Sequence, residues 1–170
     1  MENSITILHL DDSQDWAFIF ELLITDAFKN KPINWYYAKR NEDAINLLQN
    51  LKTVHILITD IKRFHETNKE LHEYLLHNSI YPIKILYSSH YDSYIIEENK
   101  LLNYAEYLHK SFKLTKPNPL FTHIFELVAI IKEIAEQQNK SFYEIYSLAP
   151  PEIVYKGISE LIIYFQKHRT

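Results

Sequence analysis

The sequence predicts an α/β fold built on a parallel sheet, and three observations carry that expectation. Short apolar or β-branched runs alternate five times with segments of helical periodicity between Ile5 and Lys110. Two of the runs, Ile5-Thr6-Ile7-Leu8-His9-Leu10 and Val54-His55-Ile56-Leu57-Ile58-Thr59, are almost continuously apolar, as suits strands buried on both faces of a sheet. Both stop abruptly on acids, Asp11-Asp12 and Asp60, where open α/β sheets place their ligands. Right-handed crossovers then put the helices on the faces of a doubly wound sheet with all strands pointing one way.

Taken in order, Ser13 is the expected N-cap of a first helix whose apolar face is Trp16, Ile19, Phe20, Leu23 and Ala27, closing near Asn30-Lys31-Pro32. Residues 33–38 are short, aromatic and β-prone, and Asn41 is expected to cap a second helix with Ala44, Leu47, Leu48 and Leu51 on one side. After the strand ending at Asp60 comes a third helix with Leu71, Tyr74 and Leu75, then a fourth strand over 82–89 that ends in hydroxyls. Asp92 caps a fourth helix over about 93–102, and a fifth strand, 105–110, ends on Lys110. The single glycine, Gly157, leaves left-handed turn positions to asparagine, and Asn30, Asn50, Asn78 and Asn103 lie near helix ends where such positions fall.

Composition narrows the chemistry. One glycine excludes Gly-rich phosphate loops, and the absence of cysteine excludes thiolate metal sites, cysteine nucleophiles and disulfides. Net charge is −4, and neither the first 119 residues (13 basic, 16 acidic) nor the remainder (5 basic, 6 acidic) carries a nucleic-acid footprint. No apolar run nears the roughly 18 residues of a membrane helix, and the N-terminus lacks a basic signal region, so a cytoplasmic protein with no membrane contact is expected.

With parallel strands, the ends of the first, third, fourth and fifth share one edge carrying Asp11, Asp12, Asp60, Ser88 or Ser89, and Lys110. Two or three carboxylates converging there suit a hard cation such as Mg²⁺. An aspartate can also be the nucleophile that becomes an aspartyl phosphate, with a hydroxyl and an ammonium to bind the phosphoryl oxygens. Taken alone, Asp11-Asp12 reads equally as a helix cap, Lys110 as a solvated loop lysine and Tyr107 as half-buried packing.

In order and spacing these segments resemble the receiver domains of two-component response regulators. The resemblance runs from about Ile5 to Pro117 and rests on Leu10-Asp11-Asp12-Ser13, Ile56-Leu57-Ile58-Thr59-Asp60, Leu86-Tyr87-Ser88-Ser89 and Tyr107-Leu108-His109-Lys110. It implies a five-stranded flavodoxin-like sheet in the order 2-1-3-4-5. It also implies Asp60 as phosphoacceptor, Asp11 and Asp12 with Asp60 as Mg²⁺ ligands, Ser88 as the phosphoryl-following hydroxyl, Lys110 as its cation and Tyr107 as a switch aromatic. Ser88 is preferred to Ser89 because Ser89 then fills the family's small-residue position. The implied partners are a sensor histidine kinase or phosphotransfer protein and a downstream protein target; self-phosphorylation is expected, multiple-turnover phosphatase activity is not.

Departures from the pattern point to a second reading, a phosphorylation-independent pseudo-receiver acting as an interaction or dimerisation module. Ser111 stands where the family has a proline after a cis bond, which before serine would cost roughly 3 kcal/mol, so the loop is expected to be rebuilt. Ile61-Lys62-Arg63-Phe64 replaces the usual sequence after the phosphoacceptor and adds two cations beside it. His9 and His109 lie close enough to the edge to tune its charge, whereas His65, His72 and His77 are read as surface or structural.

The receiver-like part is expected to span 1–138 and to include a long fifth helix with two apolar stripes: Phe121, Ile124, Val128, Ile131 and Ala135, and Leu120, Leu127, Ile130 and Ile134. Residues 139–170 form a helical extension. A short helix over 141–148 is stopped by Pro150-Pro151, and Val154, Ile158, Leu161, Ile162 and Phe165 face a last helix. This extension is expected to pack on the fifth helix or on a second subunit, as in a homodimer. Output is expected through the surface around the fourth helix, fifth strand and fifth helix, or through the extension.

Overall fold

The computed structural model describes residues 3–63, 65–110 and 119–169; the expectation attached to Ser111 lies outside them. The sheet is formed by β1 (Ile5–Leu10), β2 (Ile33–Ala38), β3 (Ile56–Thr59), β4 (Ile83–Ser88) and β5 (Tyr104–His109). All pairings are parallel and the order is β2-β1-β3-β4-β5. The connecting helices are α1 (Gln14–Ala27), α2 (Asn41–Asn50), α3 (Asn68–His77) and α4 (Ser93–Lys100), followed by α5 (Leu120–Gln138), α6 (Phe142–Tyr146), α7 (Pro151–Lys156) and α8 (Ile158–Lys167).

Every residue of the central strands β1, β3 and β4 is buried, which explains their unbroken apolar runs, while edge strand β2 is half exposed. On one face Ile7, Ile58 and Ile85 pack beneath α1 and α5; on the other, Leu8, Leu10 and Leu57 pack beneath Ala44, Leu48, Leu71 and Leu75 of α2 and α3. Leu10 lies opposite both Ala38 and Thr59, and Ser88 opposite His109. This register brings Asp11, Asp60, Ser88 and Lys110 to one edge.

Both stripes of α5 are buried except at Leu120, because α6 and α8 pack against the helix where the sheet does not. The extension begins at the N-terminal edge of the sheet, where the Tyr143 hydroxyl accepts from Val54 N at 2.7 Å and Phe142 meets the His55 ring edge-on. It then runs along β5, where Glu106 Oε1 accepts from Ile158 N at 3.0 Å, and α8 returns along α5.

Four local expectations are corrected. Helix α1 buries Ala17, Phe20 and Ile24 and exposes Ile19 and Ala27; its apolar residues run so nearly all round that periodicity could not fix the inward face. Asn41 is the first residue of α2, not its cap, and its side chain is spent on a buried polar network. Of the asparagines expected in left-handed geometry only Asn103 is so; Ser79 and Asn139 hold the other non-glycine positive φ angles among the described residues. The short helix α6 does end before Pro150-Pro151, as expected, and Pro151 also begins α7, where its missing N–H costs nothing. Gly157, at φ 111°, separates that helix from α8, so the expected last face is divided between two helices.

Candidate functional site

The acids of β1 and β3 and the lysine after β5 meet in one cleft. Asp11 lies fully buried after β1, its Oδ1 accepting from Ser13 N at 2.9 Å and its carbonyl from the Tyr37 hydroxyl at 2.7 Å. Asp60 follows β3, its N–H held by the Leu10 carbonyl at 3.1 Å and its Oδ1 accepting from Ile61 N at 2.7 Å. The Lys110 ammonium bridges the two, 2.6 Å from Asp11 Oδ2 and 2.9 Å from Asp60 Oδ2. Rings of Tyr87 and Trp16 flank it at 5.5 and 5.8 Å. Asp12 is the more exposed acid, and one oxygen from each of Asp11, Asp12 and Asp60 lies within 4.8 Å of the others.

The charge balance of this cleft is uneven. Burial alone would raise the Asp11 pKa, but the net shift is downward; His9 and Lys110 both favour its ionised form. His9 Nε2 approaches Asp11 only to 3.7 Å, beyond hydrogen-bond length, so Lys110 is the partner that stabilises the carboxylate. Asp12 is shifted upward, by burial first and then by the charges of Asp11 and Asp60. One cation thus serves two of three acids, and the remaining negative charge, presented on hard oxygens, fits a divalent cation that keeps several waters. Asp11, Asp12 and Asp60 are the residues that would hold it.

Ser88, the last residue of β4, is completely buried; its carbonyl accepts from Lys110 N at 2.8 Å and its Oγ from His90 N at 3.4 Å. Ser89 is exposed. The Tyr107 hydroxyl donates toward the carbonyls of His90 and Ser88 at 2.5 and 3.0 Å, which ties β5 to the loop after β4.

Three features escaped sequence reasoning. Arg63 is no cation at the mouth of the site but a fully buried one behind it: Nη1 donates to the Asp60 carbonyl and to Asn68 Oδ1, both at 2.6 Å, and Nη2 to Asn41 Oδ1 at 2.7 Å. Asn68 adds bonds to the Asp60 carbonyl and to Asn99 Oδ1, linking the β3 end to α2, α3 and α4. His9 lies under Asp11 among Phe20, Trp35 and Tyr87, with burial lowering its pKa, so it is a neutral floor and not a charge at the edge. His109 instead packs on Tyr91, with ring centroids 4.6 Å apart. His72, half-buried on α3, takes the structural of the two roles expected for it, its Nδ1 meeting the buried Lys84 ammonium at 3.0 Å. Only His9, polar within an apolar strand, was signalled by its surroundings in sequence.

Fold and cleft together define a doubly wound, flavodoxin-like α/β domain with an acid-rich pocket at the carboxyl ends of its strands. More particularly, the fold is that of response regulator receiver domains. The chemotaxis response regulator CheY4 of Vibrio cholerae is 18% identical, with a TM-score of 0.59 over 72% of this chain and 98% of that one. The N-terminal domain of an uncharacterized Wolinella succinogenes protein gives 0.61, at 18% identity over 76% and 98%. The response regulator TrrA of Thermotoga maritima, solved in complex with Mg²⁺-BeF, gives 0.52, at 18% identity over 73% and 98%. No family model matches the chain, and no curated protein matches it in sequence. Among the described residues no helix is long and apolar enough to cross a membrane.

Proposed function

We propose that the chain is a response regulator that accepts a phosphoryl group on Asp60 from the phosphohistidine of a sensor kinase or phosphotransfer protein. The observation that carries this reading is the single cleft in which Lys110 lies 2.6 and 2.9 Å from Asp11 and Asp60, with Asp12 beside them. An Asp60 oxygen forms the new P–O bond as the P–N bond to the donor imidazole breaks, and the departing imidazole takes up a proton. Mg²⁺, when bound, supplies positive charge to the transferring phosphoryl oxygens. Lys110 offers its ammonium to the phosphoryl group, Ser88 its hydroxyl, and Ile61 N–H fixes the orientation of the Asp60 carboxylate.

The readout is a change in a protein-binding surface, begun when Ser88 follows the phosphoryl group and shifts the loop whose carbonyls hold Tyr107. That surface differs from an open α4-β5-α5 face, because α7 and α8 already lie along β5 and α5, and Tyr155 of α7 bonds Glu97 of α4. The test is incubation with Mg²⁺ and acetyl or carbamoyl phosphate, followed by intact-mass measurement. One added phosphoryl group, lost in Asp60→Asn, is expected. A chain left unmodified under conditions that label other receivers would return the phosphorylation-independent interaction module to first place.

A further inference from the structure

Far from the acidic cleft, at the opposite edge of the sheet, a partly enclosed cavity of about 200 Å³ lies between the receiver body and the C-terminal helices. Its body side includes Leu75 and His72 of α3 and Lys84 of β4; the extension contributes Tyr146, Ala149 and Val154. Neither part encloses it alone.

Two of its polar groups are incompletely matched. The Lys84 ammonium is buried, 3.0 Å from His72 Nδ1, 2.5 Å from the Leu102 carbonyl and 4.4 Å from the Tyr104 ring centroid, with no carboxylate partner among the described residues. An ammonium has three donors and a full charge, and here two neutral acceptors and a ring face answer it. The Tyr146 hydroxyl, also buried, has no hydrogen-bond partner among the described residues, which is costly for a phenol unless something else accepts from it.

We propose that this cavity binds a small organic carboxylate, its acid group paired with Lys84 and its short apolar tail against Leu75, Ala149 and Val154. A carboxylate supplies the counter-charge that the lysine lacks, and Tyr146 lines the same cavity with no acceptor of its own among the described residues. A phosphate fits less well, because one lysine and apolar walls leave most of its oxygens unanswered. The volume, below the roughly 300–1,000 Å³ of drug-sized sites, sets the ligand at a few carbons.

Burial lowers the Lys84 pKa to about 7, and burial and then the lysine's charge lower that of the facing His72 to about 4. The Tyr104 phenol of β5, whose ring faces the ammonium, and the Tyr146 phenol of α6, elsewhere on the cavity wall, stay protonated, both shifted upward by burial. Lys84 is therefore the group that titrates as the ligand enters. A bound anion favours its charged form, so binding takes up a proton above pH 7, and affinity falls by up to about tenfold per pH unit there.

The experiment titrates the full chain with sodium butyrate, and in parallel with butyramide as the uncharged isostere, following amide and methyl NMR signals of Leu75, Lys84 and Val154. Saturable shifts with butyrate, at least tenfold weaker with butyramide and weakening from pH 7 to 9, are expected. Lys84→Met, which deletes a buried charge and keeps the volume, loses the preference for butyrate, and Tyr146→Phe lowers butyrate affinity several-fold. Equal responses to the two probes, wild-type butyrate affinity in Lys84→Met, or no saturable shift at these residues would overturn the assignment.

Discussion

Replacing Arg63 by methionine tests whether the buried network behind Asp60 holds the fold as its geometry implies. The substitution keeps most of the side-chain volume but removes the donors to the Asp60 carbonyl, Asn68 Oδ1 and Asn41 Oδ1. The Asp60 carbonyl retains Asn68 Nδ2 at 3.1 Å, so two amide oxygens bear most of the loss. Each buried acceptor left unsatisfied costs about 1–3 kcal/mol. Relief from desolvating a guanidinium whose Nε lacks a partner among the described residues offsets part of this. The net expectation is about 3 kcal/mol of lost stability, read from urea unfolding by fluorescence of Trp16 and Trp35. Lys62→Met, at the exposed neighbouring position, should stay within about 0.5 kcal/mol. A loss below about 1 kcal/mol for Arg63→Met would refute the network's structural role.

Three further outcomes follow from particular groups. Asp12→Asn removes the charge that Asp11 and Asp60 oppose, so without divalent cation the melting temperature should rise by about 2 °C, while Mg²⁺ affinity measured by fluorescence titration falls at least tenfold. His55, whose Nδ1 accepts from Thr6 N at 2.9 Å, has its pKa lowered to about 4, by burial first and then by Lys132. The unfolded chain therefore binds the extra proton below about pH 6.5, and stability present above that value is lost toward pH 4 by about 2–3 kcal/mol; His55→Gln should flatten this part of the urea-midpoint profile. Gly157→Ala would force a side chain into φ 111° with its Cβ 2.6 Å from Glu106 Oε1; a loss of about 1–3 kcal/mol and faster hydrogen exchange in α7 and α8 are expected.

The sheet and its acidic edge were legible because they depend on local signals. Runs such as 5–10 and 56–59 can be buried only as central strands, and their ends must then converge, whatever the helices do. Asp11, Asp12, Asp60 and Lys110 were accordingly found by position alone. Arg63 was not, because a guanidinium three residues after Asp60 can turn outward or inward, and the choice depends on Asn41 and Asn68 arriving from other elements. The inward face of α1 was similarly hidden: Phe18, Ile19 and Leu22 are as apolar as the residues that are buried, so composition could not rank them. Lys84 lies near the start of an apolar strand, but its partner His72 comes from α3 and part of the cavity wall from α6 and α7.

The path of the extension along β5 also alters what the sheet can join. The Ala105 carbonyl lies 3.5 Å from where a Cβ on Gly157 would stand, and Glu106 takes the first N–H of α8, so the outer margin of β5 is occupied from within the same chain. An unpaired strand margin is a template on which foreign strands can grow. Here such growth is left to the β2 side, where Ile33, Trp35 and Tyr37 remain partly open to solvent. Shortening the chain before α7 would therefore do more than remove two helices: it would uncover a second growing edge and invite self-association through the backbone.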